Sequence, residues 1–166
     1  MISVAVIGGG ASGMAFAVAL KQKRPDIEVA VFEKNPKVLK KILVTGNGRC
    51  NILNFDAVAE NYFEACEFVR PAVEKYTPKK TEAIFRDMGL LLMSEQEGRA
   101  YPISQTAASV VCVLSSAAER AGVKVFTDTP VKSIKKSQGG FVINNDKSFN
   151  FAVIACGGAA APKQGT

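Results

Sequence analysis

Residues 2 to 13, ISVAVIGGGASG, carry a β-branched run straight into Gly8-Gly9-Gly10-Ala11-Ser12-Gly13, and this junction constrains the fold more than any other feature. The run Ile2 to Ile7 suits a buried parallel strand, and the Ala-rich stretch Ala11 to Leu20 suits a helix. Glycines spaced G-x-G-x-x-G between a strand and a helix permit a tight turn and close backbone approach to a pyrophosphate. The N-terminus of that helix, with unpaired N–H groups and the positive end of its dipole, favours negative charge there. The pattern predicts an α/β fold opening on a Rossmann-like nucleotide-binding turn.

Glycine-rich turns are common, so the fingerprint takes its weight from what surrounds it. A second strand is expected over Glu28 to Phe32, with Glu33 at its end. Glu33 stands 33 − 13 = 20 residues beyond Gly13, the offset at which an acidic side chain accepts hydrogen bonds from a ribose. The alternative is an ordinary strand-turn-helix unit with Glu33 merely solvated.

At 166 residues the chain is long enough for one domain with a substantial core. No apolar run approaches the ~18 residues of a membrane span. The first apolar stretch ends in glycines rather than a signal-peptide cleavage site, so a cytoplasmic location is expected. Cys50, Cys66, Cys112 and Cys156 form no C-x-x-C pair, which points away from a metal site or a redox motif. Histidine is absent, removing the commonest general base and metal ligand, so chemistry must be borrowed from a cofactor or run on other groups. No side chain earns a catalytic label.

The net charge is +6, but the basic residues are scattered and the aromatics form no stacking series, so no nucleic acid partner is expected. Lys34, Lys40, Lys41 and Arg49 follow the ribose position and suit the two phosphates of a dinucleotide. Lys79-Lys80 and Lys135-Lys136 read as solvated faces.

From Lys34 to Asn54 the chain is loop-like and too long for an ordinary β-to-α connection. Two helices are expected next: one over Asn61 to Tyr76, with Phe63, Cys66, Val69 and Val73 on a core-facing stripe, and one from the Thr77-Pro78 cap to near Gly89. Together with the short strand Leu90 to Met93 they form an inserted segment over about 55–97. A helix over Thr106 to Ala121 ends at Gly122, and a strand over Val123 to Thr127 follows. From Pro130 the period changes to short strands, Val131 to Lys136, Phe141 to Asn144 and Ser148 to Phe151, joined by Gly139-Gly140 and Asn145-Asp146 turns. This meander leads without a helix into the buried-type strand Ala152 to Ala155. A typical NAD-binding domain has a helical crossover at this point. A meander there resembles the FAD-binding domains of two-dinucleotide flavoproteins.

Three segments together resemble one family: GGGASG at 8–13, KKILVTGNGRCN at 40–51 and GRAYPISQTAASVV at 98–111, with ACGGAAAPKQGT at 155–166 as a less regular fourth. They are similar to the bacterial flavoproteins called HI0933-like, YhiN-like or BaiN-like, which include enzymes described as aminoacetone oxidases and bile-acid-intermediate reductases. The resemblance implies a Rossmann-like FAD-binding domain with a central parallel sheet. It implies FAD at Gly8, Gly10, Ala11, Ser12 and Gly13 for the pyrophosphate turn, Glu33 for the ribose and Lys34 beside it. By the same resemblance Lys41, Thr45, Gly46, Gly48, Arg49, Cys50 and Asn51 are expected to follow the cofactor toward its flavin end. The resemblance also implies that Val131, in the strand after Pro130, meets adenine through its backbone, and that Ala155 and Gly157 return to the cofactor at a strand end. The Cys50 thiol is more simply a packed or cofactor-contacting group than a redox nucleophile.

Cys156 replaces the family's usual Thr, and Ala159-Ala160-Ala161 replaces a more polar stretch, which weakens hydrogen bonding from that corner. Relatives of this type continue into a substrate domain and a C-terminal return to the FAD domain. The expectation is therefore a truncated, N-terminal FAD-binding portion (residues 1–166) of an oxidoreductase that moves hydride or electrons between FAD and a small organic substrate or NAD(P)H. The alternative is a non-catalytic module binding NAD or ADP-ribose in the same pocket, since Glu33 serves any free ribose.

Overall fold

The computed structural model describes residues 1–158. The first apolar run forms β1 (Ser3–Ile7), the Ala-rich stretch forms α1 (Ala11–Lys23), and β2 (Glu28–Phe32) follows. Next come β3 (Leu53–Asn54), α2 (Cys66–Lys75), α3 (Pro78–Asp87), β4 (Leu92–Ser94), β5 (Arg99–Pro102) and α4 (Ala107–Arg120). The chain closes with β6 (Lys124–Phe126), β7 (Ile134–Ser137), β8 (Gly140–Ile143), β9 (Lys147–Phe149) and β10 (Phe151–Ile154). The chain divides into two compact units, Met1–Ile42 with Leu114–Thr166, and Leu43–Val113, the division falling within α4.

In the first unit a parallel sheet has the order β10-β1-β2-β6, with Ser3 opposite Glu28, Ile7 opposite Phe32, and Ile7 also opposite Ile154. Read from β6, the strands run third, second, first, fourth, the order of a dinucleotide-binding half-fold. Between β6 and β10 the crossover is the expected antiparallel meander β7-β8-β9. It packs Ile143 and Phe149 against Ala5, Ile7, Ala30 and Phe32. Phe32 stacks on Phe126 at 5.4 Å and meets Phe149 edge-on at 5.7 Å. Burying one such ring contributes about 1.5–3 kcal/mol. The alternate residues Val4, Val6, Val29 and Val31 are buried on the other face, which is why β1 and β2 read as continuous apolar runs.

The second unit holds the antiparallel sheet β3-β5-β4 and helices α2 and α3. Thr77 Oγ1 accepts the Lys80 N–H at 3.4 Å, the cap expected before Pro78. The first helix differs from expectation. It starts at Cys66 rather than Asn61, because Phe63 (φ 47°, ψ −121°) breaks the helical path and residues Ala59–Ala65 form only 3₁₀ turns. Its apolar stripe is not core: α2 and α3 contain no buried residue, and Phe63 is 86% exposed.

The stretch 34–54 is also not plain loop, since it carries 3₁₀ turns over Lys40–Gly48 and the two-residue strand β3. Gly122 (φ +74°) ends α4 as expected, with its N–H on the Glu119 carbonyl and the Val123 N–H on that of Ala118. Val131 lies before β7 rather than in a strand, because the Asn144 side chain takes up the neighbouring Lys132 and Ser133 N–H groups in place of a ladder.

Candidate functional site

The carboxyl ends of β1, β2 and β10 meet at Gly8. Its N–H donates to the Phe32 carbonyl at 2.8 Å, and the Ala155 N–H donates to the Ile7 carbonyl at 2.8 Å. Gly8 adopts φ +112°, a conformation open to glycine, and a Cβ there would overlap the Ala155 carbonyl. At Gly13 a Cβ would overlap the Gly8 carbonyl oxygen, so helix and strand approach as closely as their backbones allow. Gly10 is different: nothing in the protein stands within 4 Å of where its Cβ would be. The middle glycine of the fingerprint therefore faces open space at the N-terminus of α1. That helix start has no side-chain cap and no acidic residue in its first turn, and Ala11 and Ser12 are exposed there.

Glu33, one residue past β2, is buried at 8% exposure. Its Oε2 accepts the Gly9 N–H at 2.8 Å, while Oε1 accepts the Asn35 backbone N–H at 2.8 Å and side-chain Nδ2 at 2.6 Å. The Gly9 carbonyl in turn accepts the Leu39 N–H at 2.7 Å. The Gly9 peptide is thus held on both sides, and a Cβ on Gly9 would meet Val38 Cγ1 at 2.6 Å. Gly9 and Asn35 belong to this arrangement although the fingerprint spacing does not count them. Three successive glycines followed by a lone acid at the strand end were the available signal.

These ends border a cavity of about 210 Å³ lined by Gly8, Phe32, Glu33, Lys34, Val131 and Cys156, among others. That is smaller than the ~300–1,000 Å³ filled by a drug-sized ligand, and fits one end of a dinucleotide. Cys156 Sγ lies 3.6 Å from the Ile7 carbonyl. Lys41 Nζ lies 3.7 Å from the position a Cβ on Gly157 would take, which brings a cation to the strand-end element. The expected departure at Ala159-Ala160-Ala161 lies outside the described residues.

Thr45, Gly46, Gly48, Arg49, Cys50 and Asn51 fall in the second unit. Gly46 (φ 54°), Asn47 (φ 54°), Gly48 (φ 80°) and Cys50 (φ 64°) are left-handed, so the T-G-N-G-R-C-N run is a coil that glycine and asparagine tolerate best. The Cys50 N–H bonds the Thr45 carbonyl at 3.0 Å, and a Cβ on Gly46 would meet the Asn51 nitrogen at 2.7 Å. Thr45 and Asn51 are exposed. Burial pushes the Cys50 thiol above its ordinary pKa, a shift the Thr45 side chain only partly offsets, so Cys50 is held as a neutral thiol and not as a nucleophile.

The Arg49 Nη1 donates to Glu95 Oε1 at 2.8 Å, Glu95 Oε2 at 3.1 Å and Gln105 Oε1 at 2.9 Å, and the guanidinium lies 4.0 Å over the Tyr101 ring. Gln105 and Tyr101 come from the 98–111 segment, so two of the motif segments meet at Arg49. No group of His, Cys, Asp and Glu among the described residues is arranged to hold a metal, and no described helix is long and apolar enough to cross a membrane.

A parallel sheet in the order β10-β1-β2-β6, a glycine turn on an uncapped helix and a buried acid at the second strand's end define a dinucleotide-binding Rossmann domain. The chain belongs to the HI0933-like family, matching its Rossmann domain over residues 2–166. It is 37% identical over 170 residues to the 3-dehydro-bile acid delta(4,6)-reductase of Clostridium scindens, covering 100% of this chain and 41% of the relative. It is 25% identical over 174 residues to the ribosomal RNA dihydrouridine synthase of Haemophilus influenzae, covering 96% of this chain and 41% of that protein. The chain thus spans 41% of the length of either relative. Among solved structures, THI4 of Thermovibrio ammonificans shares the fold with a TM-score of 0.55 at 17% identity, covering 86% of this chain and 45% of that one. An oxidoreductase of Methanosarcina mazei does so with a TM-score of 0.52 at 13% identity, covering 94% and 59%.

Proposed function

We propose that this chain forms the FAD-binding portion of a flavoprotein reductase that saturates a carbon–carbon double bond conjugated to a carbonyl. The observation that carries the FAD assignment is the Gly8–Gly13 turn clamped by Glu33 beside the cavity. The substrate class rests on the relatives: one is named for the Δ4,6 bonds of a 3-dehydro bile acid, the other for making dihydrouridine. Both names describe reduction of an alkene conjugated to a carbonyl.

In this reading Gly8, Gly10, Ala11, Ser12 and Gly13 receive the pyrophosphate through backbone N–H groups and the α1 dipole. Glu33 accepts from ribose hydroxyls with lone pairs that Gly9 and Asn35 leave open. Lys34 and Lys41 supply positive charge, Val131 meets adenine, and Ala155 and Gly157 close the strand-end side. Thr45, Gly46, Gly48, Arg49, Cys50 and Asn51 attend the flavin end. When bound, FAD supplies the two-electron chemistry, and the protein supplies orientation and electrostatics. NAD(P)H is the proposed electron donor. The four free cysteines suit a reducing, cytoplasmic location.

Titration of the purified chain with FAD, followed by flavin absorbance and fluorescence, tests the cofactor. No flavin at purification and no binding at micromolar FAD would sink it. In a longer protein containing this chain, anaerobic bleaching of the flavin by NADH or NADPH supports the reductase, and a stable oxidised spectrum with either donor argues for an oxidase.

A second reading takes an RNA uracil as substrate. The Haemophilus relative, named for its action on ribosomal RNA, motivates it. Oxidation of donor by the longer protein with a 3-oxo-4-ene but not with uridine-containing RNA selects the first reading, and the reverse selects the second.

A further inference from the structure

We propose that Asn144 is a positioning residue that fixes the Val131 peptide as an adenine-reading edge and so makes the cavity selective for adenine over hypoxanthine. This rests on the FAD-binding reading above. Asn144 sits just past β8 at φ +53°, a left-handed conformation that asparagine tolerates. Its side chain turns back over the preceding loop. Oδ1 accepts the Lys132 N–H at 2.7 Å and the Ser133 N–H at 3.3 Å, and Nδ2 donates to the Pro130 carbonyl at 2.9 Å. Its own backbone N–H donates to the Ser133 carbonyl at 2.9 Å. A side-chain amide offers an acceptor and a donor on two separate atoms, which these bonds use together.

These bonds tie residues on both sides of Val131 and leave Val131 itself out. Among the described residues neither its N–H nor its carbonyl has a hydrogen-bond partner, although the residue is half-buried and lines the cavity with Gly8 and Glu33. An unpaired donor and acceptor on one residue at a cavity wall are available to a ligand edge. The Watson–Crick edge of adenine presents an N6–H donor beside an N1 acceptor, the complement of one carbonyl and one N–H. Hypoxanthine presents an oxygen acceptor beside an N1–H donor, which inverts the match. A pyrophosphate site alone has no means of telling the two bases apart.

The test is calorimetric titration of the chain with ADP and with IDP, for the wild type, Asn144→Gly and Asn144→Asp. Glycine removes the side chain without straining the positive φ, and aspartate keeps the acceptor while losing the donor. The wild type is expected to bind ADP about tenfold or more tighter than IDP, the cost of leaving a base and a backbone group mismatched. Asn144→Gly brings the ratio to within about threefold by weakening ADP while barely changing IDP, and Asn144→Asp falls between. A wild-type ratio near one, or a variant that weakens ADP and IDP equally, overturns the proposal. If Asn144→Gly does not fold, the Asn144→Asp ratio decides: unchanged from wild type overturns the proposal, reduced supports it. Wild-type chain that binds neither ADP nor FAD overturns the FAD reading itself, a result distinct from an altered ratio.

Discussion

The Gly9 backbone N–H donates to Glu33 Oε2 at 2.8 Å, so the acid expected to wait for a ribose is already at work holding the glycine turn. Glu33 thereby joins the end of β2 to the phosphate-facing loop. Replacing it with alanine strands the sheltered Gly9 and Asn35 N–H groups, each costing about 1–3 kcal/mol. Glu33→Ala is therefore expected to lower stability by about 2–4 kcal/mol in urea unfolding, on top of abolishing FAD binding. Glu33→Gln keeps one acceptor oxygen and should lose less stability while still weakening FAD at least tenfold, as a neutral acceptor bonds ribose less strongly. A Glu33→Ala variant as stable as wild type would show that the clamp is energetically idle.

Gly10 and Gly13 separate binding from folding. A Cβ on Gly13 overlaps the Gly8 carbonyl, so Gly13→Ala must shift backbone and is expected to cost about 1–3 kcal/mol of stability along with FAD affinity. A Cβ on Gly10 meets no protein atom within 4 Å, and its backbone (φ −77°) is open to any residue. Gly10→Ala should therefore melt within about a degree of wild type, yet weaken FAD by tenfold or more, because its methyl fills the space the phosphate needs. Equal FAD affinity in Gly10→Ala and wild type would remove the pyrophosphate from this turn.

The strands that build the site are legible because each is a short apolar run next to turn residues: β1 and β2 are buried on both faces, and β10, an edge strand with exposed ends, still falls within a residue of its expected place. Helix α2 shows the limit. Its periodicity specifies an apolar face, but periodicity carries no information on whether anything packs there, and Phe63 and Phe68 are exposed. Val131 fails as a strand residue because the Asn144 side chain takes up the Lys132 and Ser133 N–H groups in place of a ladder. That bond links residues 12 apart in the chain, and nothing in local spacing announces it. The roles of Gly9 and of the Arg49 partners Glu95 and Tyr101 are illegible for the same reason: contacts between distant residues fix them, hydrogen bonds for Gly9 and Glu95 and ring stacking for Tyr101.

The cysteines offer a chemical map of the cavity. Cys50 is buried and its pKa is raised by burial, while Cys112 and Cys156 are exposed, and Cys156 lines the cavity. At pH 8 iodoacetamide should modify Cys112 and Cys156 within minutes and Cys50 only on unfolding, as read by peptide mass spectrometry. Saturating FAD should protect Cys156 at least fivefold and leave Cys112 unchanged. Raising the pH should also weaken the fold slightly at Cys50: with a folded pKa above the ordinary thiol value, its contribution is complete below that value. It is lost as pH rises through it toward the folded one. Equal protection of both exposed cysteines, or of neither, would separate Cys156 from the cofactor.

Arg49 is anchored by partners of unequal worth. Its pairing with Glu95 joins side chains 39% and 32% exposed, and such ion pairs contribute about 0–1 kcal/mol. Its stacking on Tyr101, which is 5% exposed, also shields an aromatic face. Glu95→Gln leaves the Gln105 bond and the stacking in place and should cost less than about 1 kcal/mol in urea unfolding. Arg49→Lys removes the planar guanidinium whose Nη1 reaches both acceptors while its face lies over the ring, and should cost more, about 1–2 kcal/mol. If Arg49 also serves the flavin end, Arg49→Lys will weaken FAD beyond what Glu95→Gln does. Matched stability losses in the two variants would mean that the ion pair, and not the stacked geometry, holds the guanidinium in place.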